Sequence, residues 1–110
     1  MFLIPQKILI YKLPSGRMPF SAWFNSLDSC LADIVSERLE KLERGYFGDF
    51  KNLGEGVYEL RIHFSCGYRI YFSRDKTKII LLLCGGEKNS QKRDIKKAKI
   101  FWEDYKNAQK

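Results

Sequence analysis

Three basic side chains with the chemistry to bind a phosphodiester lie in two short segments of alternating residues. Arg61 and His63 belong to the first segment, and Arg69 belongs to the second. Guanidinium groups form paired hydrogen bonds with phosphate oxygens, and an imidazole transfers protons near neutral pH. The three side chains repel one another when charged, and a bound phosphate relieves that repulsion. A solvated sheet face, on which Glu59 pairs with one arginine, is an equally open reading of the same residues.

Four further residues are candidates for contacts with a substrate at this site. Tyr71 has a flat ring on which an unstacked base can rest. Lys88 precedes the last predicted helix, whose first backbone N–H groups favour an anion. Gln91, early in that helix, is placed to hydrogen-bond a nucleotide or water. Asp94 lies in the first turn, where its charge also simply suits the helix dipole.

The charge balance of the chain favours polyanionic partners. Its 110 residues include 20 Lys and Arg against 13 Asp and Glu, a net charge of +7 and a pI near 9.4. Nucleic acid is the first expectation for such an excess, ahead of acidic proteins and anionic membranes. A generic basic surface is the alternative that charge alone leaves open.

The cysteine and histidine content predicts no metal site and no cofactor. Cys30, Cys66 and Cys84 are an odd set without CxxC spacing, and His63 is the only histidine. Such a set indicates neither a disulfide framework nor a zinc site. The carboxylates show no metal-binding motif. Any cleavage by this chain is therefore expected to be metal-independent.

No targeting or membrane-spanning segment is predicted. The first residues lack a long apolar core and a small-residue cleavage site, and the longest apolar run is Ile79–Cys84. We therefore expect a reduced, soluble, cytoplasmic protein with no membrane association.

Apolar periodicity predicts the elements that position these side chains. Helices are expected at residues 20–27 and 29–44, and strands at 6–11, 57–64, 68–73 and 79–84. Residues 45–56, which contain several glycines, are expected to form a loop. The continuous apolar run at 79–84 is typical of a central strand covered on both faces, ended here by Gly85-Gly86. Asn89 or Ser90 is expected to cap a last helix that runs to about Tyr105.

The second and third strands are expected to form a hairpin with a three-residue turn, Ser65-Cys66-Gly67. This register gathers the apolar residues by pairing Phe64 with Tyr68, Ile62 with Ile70 and Leu60 with Phe72. It also predicts the pairs His63–Arg69, Arg61–Tyr71 and Glu59–Ser73 on the opposite face. The register is strongly specified because a slip of one residue would exchange the two faces.

The predicted fold class is α+β, in one domain over residues 1–110. An N-terminal helical hairpin packs on a twisted antiparallel four-stranded sheet, and a C-terminal helix closes the structure. A chain of this length has room for one core and little else.

Several short motifs occur together along this chain. They are Glu59-Leu60-Arg61, Gly67-Tyr68-Arg69-Ile70-Tyr71, Leu83-Cys84-Gly85-Gly86-Glu87-Lys88, Gln91 and Asp94-Ile95. In this combination the chain resembles the RelE/ParE superfamily, and more closely its HigB-like branch, the addiction module killer proteins. The resemblance extends from the first predicted strand to the last helix.

The resemblance implies a microbial-ribonuclease-like fold and a type II toxin that cuts messenger RNA on the ribosome. In such an endoribonuclease the RNA's own 2′-hydroxyl is the nucleophile, so translation is inhibited without a metal or cofactor. Arg69 matches the family's strand arginine, and Arg61 falls among the basic residues of the preceding strand. Lys88 stands where RelE-type toxins commonly carry an arginine.

The chain departs from the RelE pattern at two positions. Asp94 stands where a tyrosine or histidine is usual, and Glu59 stands where RelE has a lysine. The general base therefore stays open among His63, Glu59 and Asp94. The preferred arrangement has Arg61 and Arg69 on the phosphate and Lys88 adding charge, with His63 or Asp94 moving protons.

The resemblance also implies a partner and two rival readings. The partner is a cognate antitoxin, usually a helix-turn-helix protein, that joins the toxin in a hetero-oligomer. ParE-type members share the fold but poison DNA gyrase without cutting RNA. A non-toxic RNA-binding module is the third reading. The basic face with Arg61, Arg69 and Tyr71 favours RNA, because gyrase binding needs no phosphate-ready cluster.

Overall fold

The computed structural model describes residues 3–109, which form an α+β structure as predicted. The elements are β1 (Lys7–Ile10), α1 (Pro19–Asn25), α2 (Ser29–Glu43), β2 (Phe50–Gly54), β3 (Val57–Ile62), β4 (Tyr68–Asp75), β5 (Ile79–Glu87) and α3 (Gln91–Ala108). A short 3₁₀ turn, Lys88–Ser90, joins β5 to α3. Within residues 3–109, no helix combines the length and the apolar character that crossing a bilayer requires.

The sheet differs from the predicted one in strand number and direction. Over residues 3–109 it has five strands in the order β1-β5-β4-β3-β2, and β1 runs parallel to β5 while the other pairs are antiparallel. The extra strand, β2, lies in the segment predicted to be a loop. Its side chains are largely exposed at the sheet edge, so it lacks the apolar alternation by which a half-buried strand is recognised.

Helices cover both faces of the sheet and divide the core in two. On one face, Leu31, Val35 and Leu42 of α2 pack with Leu60 and Phe72 among others. On the opposite face, the buried apolar side chains of α3 pack against the middle strands; they are Ala98, Phe101 and Trp102. β5 is buried on both faces, as its continuous apolar run predicted.

The two N-terminal helices are present as predicted, but they do not form a closely paired hairpin. α1 lies along β5. Its Trp23 ring sits directly against Gly85, which leaves no room there for a side chain. The first helix is therefore held by the sheet.

The β3–β4 register differs from the predicted one by two residues. Ile62 pairs with Tyr68, Arg61 with Arg69, and Glu59 with Tyr71. The predicted pairs His63–Arg69, Arg61–Tyr71 and Glu59–Ser73 are therefore wrong. The connecting loop is longer than expected because the chain turns in the left-handed region at Ser65 and Gly67, with φ of 55° and 90°. A shift of two residues leaves each side chain on its expected face.

Gly85-Gly86 does not end β5, which continues to Glu87. Both glycines are closely approached from outside the strand, Gly85 by the Trp23 ring and Gly86 by the Asp94 carboxylate. Each glycine therefore makes room for a side chain that packs closely on β5, one on each face of the sheet. After it, α3 begins at Gln91 and runs to Ala108, beyond the predicted end at Tyr105.

We expect Gly85→Ala to lower the free energy of unfolding by about 1–3 kcal/mol, the usual cost of overpacking a well-filled core. The added methyl group would collide with the ring of Trp23. Urea unfolding followed by circular dichroism measures this cost. In a Trp23→Leu background the same change is expected to cost less, and an equal cost in both backgrounds would contradict the proposed contact.

Candidate functional site

The fully buried carboxylate of Glu59 organises the polar face of β3 and β4. Glu59 is fully buried, and its Oε2 accepts a hydrogen bond from Arg61 Nε at 3.0 Å. Its Oε1 accepts one from Gln91 Nε2 at 2.7 Å and lies 3.4 Å from Arg69 Nε. Glu59, Arg61, Arg69 and Gln91 form what we call the Glu59 cluster. One negative charge therefore holds two guanidinium groups, and the cluster keeps a net positive charge.

The strand register explains how the two arginines meet. Arg61 and Arg69 are direct partners across β3 and β4, so their side chains leave the same face. On the other side of β4, Arg69 pairs with Gly86, which carries no side chain to cover the guanidinium. The side chains of Arg61 and Arg69 are 35% and 14% exposed, so solvent reaches both.

Arg69 keeps unused hydrogen-bonding capacity. Its Nε is buried and ion-paired with Glu59, but the two atoms do not meet in hydrogen-bond geometry. Its Nη1 lies beside Gly67 in the β3–β4 loop. The Gly67 carbonyl accepts a hydrogen bond from the Lys88 backbone N–H at 3.3 Å, and this contact ties the turn before α3 to the same end of the sheet. Lys88 itself is exposed.

Asp94 lies on the same face as the Glu59 cluster, in the first turn of α3. It is buried against Gly86, the β5 partner of Arg69. Its Oδ2 accepts a hydrogen bond from the Ser90 hydroxyl at 2.5 Å. Asp94 and Ser90 also line a cleft of about 440 Å³ between α1 and the start of α3. The Asp94 carboxylate thus lies between the face that carries the Glu59 cluster and an open cleft.

Tyr71 does not offer the stacking surface expected from the sequence. The residue is fully buried, and its hydroxyl has no hydrogen-bond partner among the described residues. Burial raises the pKa of Tyr71, and the nearby carboxylates of Glu59 and Asp94 raise it further. A nucleotide base therefore has no access to this ring. Glu59 is also inaccessible, and its contacts are with protein side chains.

His63 is not brought together with Arg69. It lies beyond the end of β3 with a side chain 75% exposed, and its Nε2 is 2.5 Å from Asp49 Oδ2. This hydrogen bond lowers the pKa of Asp49. Sequence reasoning missed Asp49 because the loop that carries it has no motif. For Gln91 the sequence left a nucleotide or water as the partner, and in the structure its amide donates to Glu59.

The three cysteines differ in accessibility. Cys84 is buried, and this burial raises the pKa of its thiol to about 12. Cys30 and Cys66 are exposed. Across residues 3–109, no three histidine, cysteine or acidic side chains lie close enough together to hold a metal ion.

The site lies within a region shared with known proteins. Residues 22–106 match the family model of phage-derived Gp49-like proteins (DUF891). The chain belongs to the Gp49-like family. An uncharacterized protein of Haemophilus influenzae is 38% identical over 85 residues, which are 76% of this chain and 86% of that protein. The Gp49-like family is associated with RelE-like toxins, and the match spans every candidate site residue.

In this Gp49-like protein, we expect Glu59→Ala to lower the free energy of unfolding by about 3 kcal/mol, because it leaves two guanidinium groups without their counter-charge. Glu59→Gln is expected to cost less, since its amide oxygen still accepts a hydrogen bond from Gln91. Urea titration of both variants gives the comparison. Equal stability of Glu59→Ala and the unaltered protein would contradict the structural role of this carboxylate.

The thiol environments predict selective modification of the Gp49-like protein. At about pH 8 the folded protein is expected to expose two fast-reacting thiols, Cys30 and Cys66, because thiolate is the reactive form and Cys84 stays protonated. A colorimetric thiol assay with and without denaturant measures this. A Cys30→Ser, Cys66→Ser double variant should show no fast phase, and a fast phase there would refute the burial of Cys84.

Proposed function

We propose that this Gp49-like protein is the toxin of a type II toxin–antitoxin system and cleaves messenger RNA on the ribosome. The observation that carries this proposal is the Glu59 cluster, in which one fully buried carboxylate holds two partly exposed arginines on one sheet face. Such a prearranged positive site suits a phosphodiester. The association of the family with RelE-like toxins supports the same conclusion.

In the proposed reaction the RNA's 2′-hydroxyl attacks the adjacent phosphorus, and the bond from phosphorus to the 5′-oxygen breaks. The products are a 2′,3′-cyclic phosphate and a free 5′-hydroxyl. Negative charge grows on the phosphate oxygens as the new bond forms. Arg61 and Arg69 stabilise that charge, and they do so without reorganising because Glu59 already fixes their direction.

Lys88 supplies further positive charge from the turn that precedes α3. Its side chain is exposed and has no ion-pair partner within residues 3–109. Its backbone N–H is bonded to Gly67, beside the Arg69 guanidinium. The lysine therefore approaches a phosphate bound at Arg69 without competing for Glu59.

We assign the proton transfer to Asp94. It contacts Gly86, the strand partner of Arg69, and it borders an open cleft. His63 is less suitable because it lies beyond the end of β3 and is bonded to Asp49. In this assignment Asp94 accepts the proton of the 2′-hydroxyl and passes it through water in the cleft to the leaving 5′-oxygen, so the carboxylate is regenerated.

The expected partner is a cognate antitoxin that silences the toxin in a hetero-oligomer, and the expected target complex is the ribosome with its messenger RNA. An acidic or apolar antitoxin segment laid over the Glu59 cluster would block access to Arg61 and Arg69. The cytoplasm is the compartment in which this target is found.

We expect Arg69→Ala to reduce messenger RNA cleavage in a translating extract by about 100-fold or more, comparable to the loss of one transition-state donor in other enzymes. The variant should stay folded, because Glu59 retains Arg61 and Gln91. Primer extension on the extracted RNA locates and counts the cuts.

Arg74→Ala is the matched control for Arg69→Ala. Arg74 lies on the same strand, but its guanidinium stacks over the Phe47 ring on the opposite face. The Arg74→Ala variant should cleave messenger RNA like the unaltered protein. Full cleavage by a well-folded Arg69→Ala variant would refute the proposed site. Trapped double-strand DNA breaks without RNA cuts would instead support a ParE-like gyrase poison.

A further inference from the structure

A second basic cleft lies at the edge of the sheet beside the end of β3. It has a volume of about 280 Å³ and is bordered by α2, the loop after α2 and the last residues of β3. The side chains that give it its chemistry are Arg38, Lys41, Tyr46, Asp49, Arg61 and His63. Only Arg61 also belongs to the Glu59 cluster.

The cleft exists because β2 is shorter than the strand it accompanies. β2 pairs with β3 only from Val57 to Leu60, so the end of β3 has no strand neighbour on that side. Beyond the end of β2, the loop between α2 and β2 lies beside β3 instead. There the Arg61 backbone N–H donates a hydrogen bond to the Asp49 carbonyl at 3.0 Å. A loop covers an edge less closely than a strand does, and a gap is left beneath α2.

Arg38 lines this gap with an incomplete set of hydrogen bonds. Its Nη2 donates to the Phe47 carbonyl at 2.7 Å, whereas its Nη1 is buried without a partner among the described residues. Burial lowers the pKa of Arg38. The guanidinium lies directly over Gly48, whose φ of 66° and lack of a side chain both permit the close approach. A buried donor without an acceptor favours any ligand that supplies one.

The balance of charge in the cleft favours an anion. Arg38 and Lys41 are cations of the cleft, whereas the Arg61 guanidinium is paired with Glu59. Asp49 is the opposing carboxylate, and it is engaged by His63. Within residues 3–109, Lys41 has no ion-pair partner. The Tyr46 ring, on a residue 55% exposed, stands at the border of the cleft, where it can stack on a base.

We propose that this cleft binds a second phosphate of the RNA strand, next to the phosphate held by the Glu59 cluster, with a base stacked on Tyr46. Arg61 carries this inference, because its backbone and side chain join the two sites. An acidic protein segment would also meet the cations, but a nucleotide supplies both the phosphate and a base that stacks on the exposed aromatic ring. That the strand is RNA rests on the proposed function.

The test is a titration of the full chain against a short fluorescein-labelled single-stranded RNA, followed by anisotropy at several salt concentrations. Lys41→Met is expected to weaken binding about fivefold and to reduce the slope of log affinity against log salt by about 0.7, the value for one phosphate contact on a single strand. Asp49→Asn is expected to strengthen binding by a similar factor, because it removes the opposing charge. A loss of folding cannot produce this opposite sign.

Lys78→Met is the matched control. Lys78 is an exposed lysine in the β4–β5 turn, at the other end of the sheet from the cleft. It should change the affinity less than twofold. Inorganic phosphate should compete with the RNA for the unaltered protein more strongly than for Lys41→Met, which supports a built phosphate site. Equal weakening by Lys41→Met and Lys78→Met, or no gain from Asp49→Asn, overturns the proposal.

The RNA titration tests the second phosphate site and the cleavage assay tests the nuclease, so either proposal can be refuted without the other. If Arg69→Ala loses cleavage while Lys41→Met binds RNA like the unaltered protein, the second phosphate site is wrong and the proposed nuclease stands. If the RNA titration responds as expected while the translating extract shows no cuts, the cleft stands and the nuclease is wrong. Tighter binding of an acidic peptide than of RNA at the cleft would also overturn the proposal.

Discussion

The polar face of this protein depends on the ionic contact between the Glu59 carboxylate and its guanidinium partners. A fully buried carboxylate is stable in a protein interior only when cations or hydrogen-bond donors surround it. Arg61, Arg69 and Gln91 meet that requirement from two strands and a helix. The same contacts fix the directions of the two arginine side chains. The ion pairs that stabilise the buried carboxylate therefore also position the basic site.

The α+β class and the position of most elements could be predicted because apolar periodicity is a local property of the sequence. The sharing of one face by Glu59, Arg61 and Arg69 followed from the period of two in β3 and β4. The exact register could not be read, because the loop between Ile62 and Tyr68 is set by left-handed turns at Ser65 and Gly67. β2 was missed because its exposed residues carry no apolar pattern.

The sequence could predict which residues belong to the candidate site. It could predict fewer of the contacts that those residues make. Sequence spacing could not show that Tyr71 is enclosed, since burial depends on α3 packing over the strand. It could not show that Gln91 faces Glu59, because the two are 32 positions apart. The pairing of His63 with Asp49 arises from a loop without a motif.

The hydrogen bond from Gln91 to Glu59 has a consequence for the order in which a nascent chain acquires its parts. The strands that carry Arg61 and Arg69 leave the ribosome before α3, which holds the amide. Until α3 emerges and docks, the Glu59 carboxylate lacks one of its donors and this face of the sheet stays open to water. The Glu59 cluster is thus completed only when α3 has followed the strands that carry the two arginines.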